Sequence, residues 1–265
     1  MNRLSDLNIS NQNLVIRVDM NVPIKDGVVT DNTRILACMP TIKFAQKSNA
    51  KILLVTHLGR PKEDTFDKNF SLKPVATEVS KILDHEVDLI DNLDSTKIFN
   101  GSSDIQILEN IRFFEGEKSN CNKLGKSLSS LGDIYVFDAF GTSHREQSST
   151  HSAILNSNLS CAGLLLEKEI DSLTKALNES QNPYTAIIGG AKVSTKLELI
   201  KNINSKADHI IVGGGIANTF LKAAGHEIGI SLCEESMVGI AKELLNDGKI
   251  ILPDTVITSK TFEGE

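Results

Sequence analysis

The 265-residue sequence has no tryptophan, two tyrosines and only four cysteines, and it lacks any long apolar run. A membrane-spanning helix needs roughly 18 uncharged apolar residues, and no stretch of the sequence approaches that length. The opening segment MNRLSDLNIS carries an aspartate where a signal peptide has its apolar region, so no secretion signal is predicted. These absences predict a cytoplasmic protein with no membrane partner.

The sequence also predicts neither a metal or disulfide site nor a nucleic-acid-binding surface. The cysteines show no C-x-x-C pair and no histidine at ligand spacing, which predicts free buried thiols rather than a zinc site or a disulfide scaffold; they are Cys38, Cys121, Cys161 and Cys233. There is also no basic excess, because 28 lysines and arginines stand against 34 acidic residues, with a net charge of −6 and a pI near 5.6. A nucleic-acid partner is therefore not predicted.

The composition that remains, 40% hydrophobic and 23% charged, is that of a globular protein. Short runs rich in β-branched residues predict strands at 14–18, 51–56, 105–110, 133–138, 184–190, 209–215 and 249–253. The stretches between them predict helices at 33–48, 74–84, 120–131, 167–179, 192–204, 216–224 and 234–246. This alternation favours an α/β fold with parallel sheets whose strands are buried on both faces.

Two local signals depart from this pattern. The segment VPIKDGVVT at 22–30 places Asp26 and Gly27 between two short apolar runs, which predicts a tight antiparallel hairpin. Pro40 lies inside the first predicted helix, where it cannot donate a backbone hydrogen bond. We therefore expect an irregular turn at the start of that helix.

The chain is predicted to form two domains. A charged stretch at 166–180, followed by a proline, predicts a helix that connects an N-terminal domain at 1–165 to a C-terminal domain at 181–265. A last strand is predicted at 255–260. We expect the second domain to be incomplete, because a sheet of so few strands leaves apolar surface uncovered.

Arginine is confined to the first 145 residues, and four of the predicted strand ends in that part carry one. These segments are RVDMN, THLGRP, ENIRFFEGE and DAFGTSHRE. Ligands of open α/β sheets bind beyond the carboxyl ends of the strands, so the four loops should converge on one crevice. Any single arginine there is more often a surface salt bridge. Four together with His57 predict a cationic pocket for a small polyanion with phosphate and carboxylate groups, which Asp19 and Asn21 would orient.

The second domain shows two glycine-rich turns. In IIGGAKVSTK, Lys192 and Lys196 are predicted on one face near a helix N-terminus, where like charges repel and the helix dipole disfavours cations. Either a bound anion offsets this repulsion or both side chains extend into water. The turn in HIIVGGGIANTF suits a phosphate or a ring approaching the backbone, or simply a tight helix crossing. A nicotinamide-dependent oxidoreductase is the weaker alternative, because Asn218 replaces the third glycine of the dinucleotide motif.

Together the motifs RVDMNVP, DNTRI, HLGRP, ENIRF, DAFGTSHR, GGAKVSTKLE and IVGGGIANTF resemble the phosphoglycerate kinase family, bacterial type, from about residue 4 to the end. The resemblance implies two Rossmann-like parallel-sheet domains joined by a helix. It also implies transfer of a phosphoryl group between ATP and the carboxylate of 3-phosphoglycerate, giving 1,3-bisphosphoglycerate and ADP in glycolysis. Mg²⁺ would accompany ATP or ADP, and the protein would be a monomer.

The resemblance also assigns residues to roles. It implies that Arg34 and Lys192 are catalytic, that Lys196 binds the nucleotide phosphates and that Gly213, Gly214 and Gly215 lie beside the adenosine. No metal ligand is implied within this chain. The substrate-binding residues that it implies are Asp19, Asn21, Arg34, His57, Leu58, Gly59, Arg60, Arg112 and Arg145.

The acceptor implied by the resemblance is a carboxylate that is already ionised at pH 7, so no general base is needed. We expect catalysis by positioning and charge stabilisation. The family continues for roughly another third beyond the end of this chain, which leaves two readings open. The chain is either phosphoglycerate kinase or a catalytically inactive fragment of it that only binds 3-phosphoglycerate.

Overall fold

The computed structural model describes residues 1–94, 96–178 and 182–261. The chain divides into two units, Met1–Asp171 (unit 1) and Ser172–Glu265 (unit 2), and this division falls inside the helix Leu164–Asn178. No helix in these described ranges is both long enough and apolar enough to cross a lipid bilayer.

Unit 1 is built on a six-stranded parallel sheet in the order β5-β6-β4-β1-β7-β8. Its strands, with those of a separate hairpin, are β1 Asn13–Val18, β2 Ile24–Lys25, β3 Val28–Val29, β4 Lys51–Val55, β5 Asp88–Ile90, β6 Ile105–Leu108, β7 Ile134–Asp138 and β8 Ser160–Ala162. Its helices are α1 Thr33–Lys47, α2 Lys73–Leu83, α3 Asn122–Ser129, α4 Ala153–Asn156 and α5 Leu164–Asn178. The α/β class and the parallel sheet are thereby confirmed.

The central strands of unit 1 are buried on both faces. In β1, Ile16 pairs with Leu54 of β4 and Val136 of β7, and all three side chains belong to one apolar cluster. The alternate residues Val15 and Leu53 belong to a second cluster. Because successive side chains of a strand point to opposite faces, the two clusters lie on opposite sides of the sheet. This accounts for the continuous apolar runs in the sequence.

The local signals have mixed outcomes. The hairpin is confirmed, since β2 and β3 pair antiparallel around Asp26 and Gly27, whose φ values are +51° and +74°. Such left-handed values at both turn residues match the right-handed twist of the flanking strands. The helix α1 begins at Thr33, as predicted, but the irregular turn expected at its start is wrong, because the α-helix is continuous through Pro40. The strands β5 and β8 were not predicted, because each has only three residues and lies at an edge of the sheet.

Unit 2 has a three-stranded parallel sheet in the order β11-β10-β9. The strands are β9 Thr185–Gly189, β10 His209–Gly213 and β11 Ile250–Ile251, and the helices are α6 Leu197–Asn204, α7 Gly214–Ala223 and α8 Val238–Leu245. Ile188 and Ile210 are buried in an apolar core with Val193 and Phe220. The neighbouring Ile187 is 78% exposed.

Two predictions for unit 2 are therefore wrong. The strands of unit 2 were predicted to be buried on both faces. Instead, buried and exposed residues alternate along β9 and β10, so these strands cover a core on one side only. The strand predicted at 255–260 does not form; that segment pairs with no described strand, and Val256 and Ile257 are exposed. The β-branched residues in this segment favour a strand, but no neighbouring strand of the described chain pairs with it.

Candidate active site

The candidate substrate residues follow strands that are neighbours in the sheet of unit 1. Asp19 and Asn21 come after β1, His57 after β4, Arg112 after β6 and Arg145 after β7. Because β6, β4, β1 and β7 are adjacent and parallel, their carboxyl ends lie along one edge. The structure brings these loops to the same edge, where the sequence predicted a crevice.

Asp19 organises the loop after β1. Its Oδ2 accepts a hydrogen bond from Arg34 Nη1 at 3.0 Å, and its Oδ1 accepts one from the backbone N–H of Asn21 at 3.2 Å. Arg34 lies in the first turn of α1, and its side chain is 55% exposed, so its guanidinium retains donors that face solvent. Asp19 and Arg34 also line a small cavity of about 250 Å³.

The loops after β1 and β4 are joined directly. Asn21 Oδ1 accepts a hydrogen bond from the N–H of Gly59 at 2.9 Å, and the carbonyl of Gly59 accepts one from Arg112 Nη1. Leu58 is placed differently from the other predicted substrate residues, because its side chain is buried in the apolar core and Asn110 holds both its N–H and its carbonyl. Leu58 thus shapes the loop rather than offering it a free polar group.

The cations of this edge are close enough to perturb one another. Burial lowers the pKa of Arg112 below its usual value, and the charges of Arg145, Arg17 and Arg60 lower it further. Arg112 is buried, and its Nε has no hydrogen-bond partner in the described part of the chain. A buried donor without an acceptor is costly, so the site is suited to an anion that supplies one.

His57 is the one imidazole in this group and is 3% exposed. Burial lowers its pKa to about 2, and the positive charges of Arg17, Arg112, Arg145 and Arg34 contribute to that decrease. The ring is therefore neutral at physiological pH, although the sequence suggested a cationic contribution from it. The positive charge of the site comes from the arginines alone.

Gly59 occupies a position that other residues fit poorly. Its φ is +58°, and a Cβ atom there would lie 2.4 Å from the ring of Phe70. We expect Gly59→Ala to lower the free energy of unfolding by about 2 kcal/mol, through backbone strain and crowding together, as measured by urea unfolding. Gly27→Ala is the matched control, because Gly27 has a similar φ but open space around its Cβ position. An equal loss in both variants would contradict a role for Phe70.

The two glycine-rich turns of unit 2 meet at the carboxyl ends of β9 and β10. Gly189 pairs with Gly213 in the sheet, and the N–H of Ile216 donates to the carbonyl of Gly190 at 3.0 Å. Gly214 has a φ of +63°, and a Cβ atom on Gly215 would lie 2.4 Å from a backbone carbonyl. Glycine is required here because the two turns pack backbone against backbone.

The lysines are placed differently from the prediction. Lys192 lies in a loop and Lys196 ends a short 3-10 turn at Ser194–Lys196, so the α-helix α6 begins only at Leu197. Val193 is buried in the core, and Glu234 accepts hydrogen bonds from Ser194, which together hold the segment outside an α-helix. Both lysines are exposed, and the expected repulsion along one helix face is wrong.

Three residues behind the substrate loops form a buried network that the sequence did not predict. Arg17 was expected at a strand end with the other arginines, but it lies within β1 and is fully buried. It contacts Ser149, which in turn contacts the buried carboxylate of Glu117. Arg17 and Glu117 lie within the arginine segments of the sequence, but nothing in the sequence shows that they are buried or that Ser149 joins them.

The cysteines and acidic residues make no metal centre in the described ranges. Cys38 and Cys161 are buried, as predicted, whereas Cys121 and Cys233 are half-buried, and all four are free thiols. No group of three or more histidine, cysteine, aspartate or glutamate side chains in these ranges could hold a metal ion.

Fold and site together define an α/β protein with parallel sheets, in which one unit gathers arginines at its strand ends and the other presents glycine-rich turns beside lysines. The family model of phosphoglycerate kinase matches residues 4–265. The chain belongs to the phosphoglycerate kinase family.

Similar proteins agree with this assignment. The chain is 44% identical over 262 residues to the phosphoglycerate kinase of Vibrio campbellii and 45% identical over 266 residues to that of Nitratidesulfovibrio vulgaris. In both cases the match covers 98% of this chain and 67% of the relative. The chain thus spans about two thirds of the length of these relatives.

Solved structures give the same result. The phosphoglycerate kinase of Coxiella burnetii matches with a TM-score of 0.82 and 42% identity, over 95% of this chain and 65% of its own. That of Pyrococcus horikoshii matches with a TM-score of 0.83 and 31% identity, over 100% of this chain and 70% of its own. The Rossmann-like fold class inferred from the sequence is consistent with both.

Proposed function

We propose that this chain is the substrate-binding part and part of the nucleotide-binding region of a phosphoglycerate kinase. The reaction would be reversible transfer of a phosphoryl group between ATP and the carboxylate of 3-phosphoglycerate, giving 1,3-bisphosphoglycerate and ADP. We propose that it works as a monomer in the cytoplasm. The observation that carries this proposal is the gathering of arginines around the neutral His57 at one edge of the sheet in unit 1.

That edge has the chemistry of a binding site for a small phosphorylated acid. Arginine presents a planar fork of donors that matches carboxylate and phosphate oxygens. Arg34 is half-exposed and Arg60 is exposed, whereas Arg112 is buried with an unpaired donor, so mobile and fixed cations are combined. Asp19 and Asn21 hold the two loops in place and leave acceptor capacity for a ligand hydroxyl.

The turns of unit 2 suit a nucleotide. Gly213–Gly215 bring backbone N–H groups to the start of the ten-residue helix α7, where the helix dipole favours negative charge. Lys192 and Lys196 follow the neighbouring strand and extend into solvent. We assign Lys192 to the transferring phosphoryl group, Lys196 to the nucleotide phosphates and the three glycines to the adenosine side.

Mg²⁺ would arrive with the nucleotide. The residues assigned to the phosphates are lysines and glycines, and no carboxylate cluster of the described residues offers the oxygen ligands that Mg²⁺ prefers. This donor set fits a metal that is carried by ATP or ADP and completed by ligands outside this chain. When bound, the ion would neutralise phosphate charge.

Catalysis at such a site is positioning and charge stabilisation. The acceptor carboxylate is ionised at neutral pH and needs no general base. Arg34 and Lys192 would neutralise the oxygens of the transferring phosphoryl group, and the buried Arg112 would fix the acid.

Binding of 3-phosphoglycerate by the purified 265-residue chain tests the substrate assignment. We expect Arg34→Ala to weaken this binding by about 10- to 100-fold, the usual size of a lost hydrogen bond between charged groups, measured by isothermal titration calorimetry. Arg3→Ala is the matched control, because Arg3 is partly exposed and pairs with Asp171 by a similar ion pair outside the site. Unchanged affinity in Arg34→Ala would refute the assignment.

Turnover separates the enzyme from the fragment that only binds the acid. The measurement is ATP consumption with Mg²⁺ and 3-phosphoglycerate, coupled to removal of the acyl phosphate. Activity would show that this chain holds enough of the nucleotide site for catalysis. Binding of 3-phosphoglycerate without turnover would favour the inactive-fragment alternative for the 265-residue chain.

A further inference from the structure

We infer that Arg17 fixes His57 as the neutral tautomer protonated at Nε2, and that Ser149 and Glu117 hold Arg17 where this requires it. His57 is then a hydrogen-bond donor in the site, and it acts neither as a cation nor as a base. Arg17, Ser149 and Glu117 are positioning residues in this scheme. The inferred tautomer does not depend on the proposed function, whereas its consequence for 3-phosphoglycerate binding rests on that function.

The tautomer follows from the contact between Arg17 and His57. Arg17 Nη2 lies 3.3 Å from His57 Nδ1, in a region where both side chains are buried. A guanidinium has five N–H donors and no acceptor, and it stays protonated in proteins. His57 Nδ1 must therefore present its lone pair to Arg17. An imidazole with a free lone pair on Nδ1 is neutral and carries its proton on Nε2.

The same reasoning orders the contacts behind Arg17. Arg17 Nε donates to Ser149 Oγ at 2.9 Å, so this hydroxyl must direct its own proton elsewhere. It donates that proton to Glu117 Oε1 at 2.6 Å, and the backbone N–H of Ser149 donates to Glu117 Oε2 at 2.9 Å. Both oxygens of Glu117 act as acceptors. The direction of every hydrogen bond from Glu117 to His57 is thereby set.

The charges along this chain of contacts favour the same arrangement. Glu117 is fully buried, and burial raises the pKa of its carboxyl, while Arg17 and Ser149 oppose that increase. An ionised Glu117 balances the buried charge of Arg17, which would otherwise be costly. The charged groups with the largest effect on His57 are Arg17, Arg112, Arg145 and Arg34. All four are cations, so they disfavour a second proton on the ring, which would make it positive.

The backbone around Ser149 is shaped for this role. Ser149 belongs to a short π-helical turn at Ser148–Ser152, and its carbonyl accepts a hydrogen bond from the buried hydroxyl of Tyr135 at 2.6 Å. The N–H of Ser148 donates to the carbonyl of Glu117 at 2.9 Å. These bonds hold the backbone at Ser148 and Ser149, and the hydroxyl of Ser149 is itself held between Arg17 and Glu117. Single π-helical turns are frequent at functional sites.

Histidine side-chain ¹H–¹⁵N correlation spectra of the 265-residue chain, recorded without ligand, test the inference directly. We expect the His57 ring to show a protonated Nε2 and an unprotonated Nδ1 throughout pH 5 to 8. The exposed His209 and His226 provide internal references for the assignment of the ring signals. A proton on Nδ1 of His57, or a charged ring within this range, would overturn the inference.

Variants test the positioning residues. In Ser149→Ala we expect the His57 spectrum to change to a mixture of tautomers and the affinity for 3-phosphoglycerate to fall by about tenfold, as when an orienting group is removed from a site. Ser10→Ala, in an exposed turn, is the control. Glu117→Gln, with exposed Glu115→Gln as its control, answers the same question if Ser149→Ala does not fold. An unchanged His57 spectrum in the folded variant would refute the roles of Ser149 and Glu117.

The two readouts keep this inference apart from the proposed function. If the wild-type chain does not bind 3-phosphoglycerate but His57 has the expected tautomer, the proposed function fails and the inference stands. If the chain binds the acid but Nδ1 carries the proton, the inference fails and the function stands.

Discussion

Replacing Gly163 with alanine is expected to lower the free energy of unfolding of unit 1 by about 3 kcal/mol, which is the range for crowding a buried charged network. A Cβ atom at this position would lie 2.4 Å from both Cγ and Oδ1 of Asp138, which is fully buried. Asp138 cannot retreat, because its carboxylate accepts hydrogen bonds from Thr41 Oγ1 at 2.6 Å and from the N–H of Leu166 at 2.9 Å.

The reason lies in how α5 begins. Gly163 precedes the helix and has no side chain to cap it, so the free N–H groups of the first turn are satisfied by residues distant in the chain. Asp138, at the end of β7, accepts a hydrogen bond from the N–H of Leu166, and Thr41 Oγ1 accepts one from the N–H of Leu164 at 3.0 Å. Burial raises the pKa of Asp138, while the hydrogen bonds from Thr41 and Leu166 oppose that increase. The first turn of α5 is thus fixed to the core of unit 1.

Amide hydrogen exchange, read separately for peptides of β1 and β4, measures the loss in unit 1. Gly239→Ala is the control, because Gly239 lies in α8 with open space at its Cβ position and the change should be neutral or mildly stabilising. A double variant sharpens the test. In an Asp138→Ala background, Gly163→Ala should cost little, and a full loss in that background would contradict the proposed clash.

Most of the fold of unit 1 could be predicted from the sequence, because its central strands are apolar on both faces and bounded by polar residues. The edge strands β5 and β8 could not, since three residues carry no periodicity. In unit 2 the run TAIIGG has the same composition as a fully buried strand, yet Ile187 is exposed. The composition of a strand does not show whether both of its faces are covered by other parts of the chain.

The site was predictable to a similar extent. Parallel neighbouring strands bring their carboxyl ends together, so the loops with Asp19, His57, Arg112 and Arg145 could be placed at one edge from the strand assignments alone. The network behind them could not, because Glu117 and Ser149 are 32 residues apart and meet only in the folded chain. Nor could the neutral state of His57, which depends on burial and on the direction of a single hydrogen bond.

The wild-type chain is expected to lose stability in mild acid through His57. Its pKa is about 2 in the folded chain and near 6.5 when unfolded, so between these values only the unfolded chain binds the proton. The contribution of His57 to the free energy of unfolding is therefore intact above pH 6.5 and declines as the pH falls. At about 1.4 kcal/mol per pH unit, the loss between pH 6.5 and 4.5 is about 2 to 3 kcal/mol.

His57→Gln isolates this loss, because a glutamine carbonyl can still accept a hydrogen bond from Arg17 but does not titrate. The free energy of unfolding of unit 1, measured by hydrogen exchange at pH 6.5 and 4.5, should fall by about 2 to 3 kcal/mol more in the wild type than in the variant. Glu117 and Asp138, whose raised pKa values act in the opposite direction, are present in both proteins and cancel in the difference. His209→Gln, at an exposed position, is the control for replacing a histidine by glutamine outside the site. Equal slopes in wild type and His57→Gln would mean that the folded chain protonates His57, in conflict with the contact between its Nδ1 and Arg17.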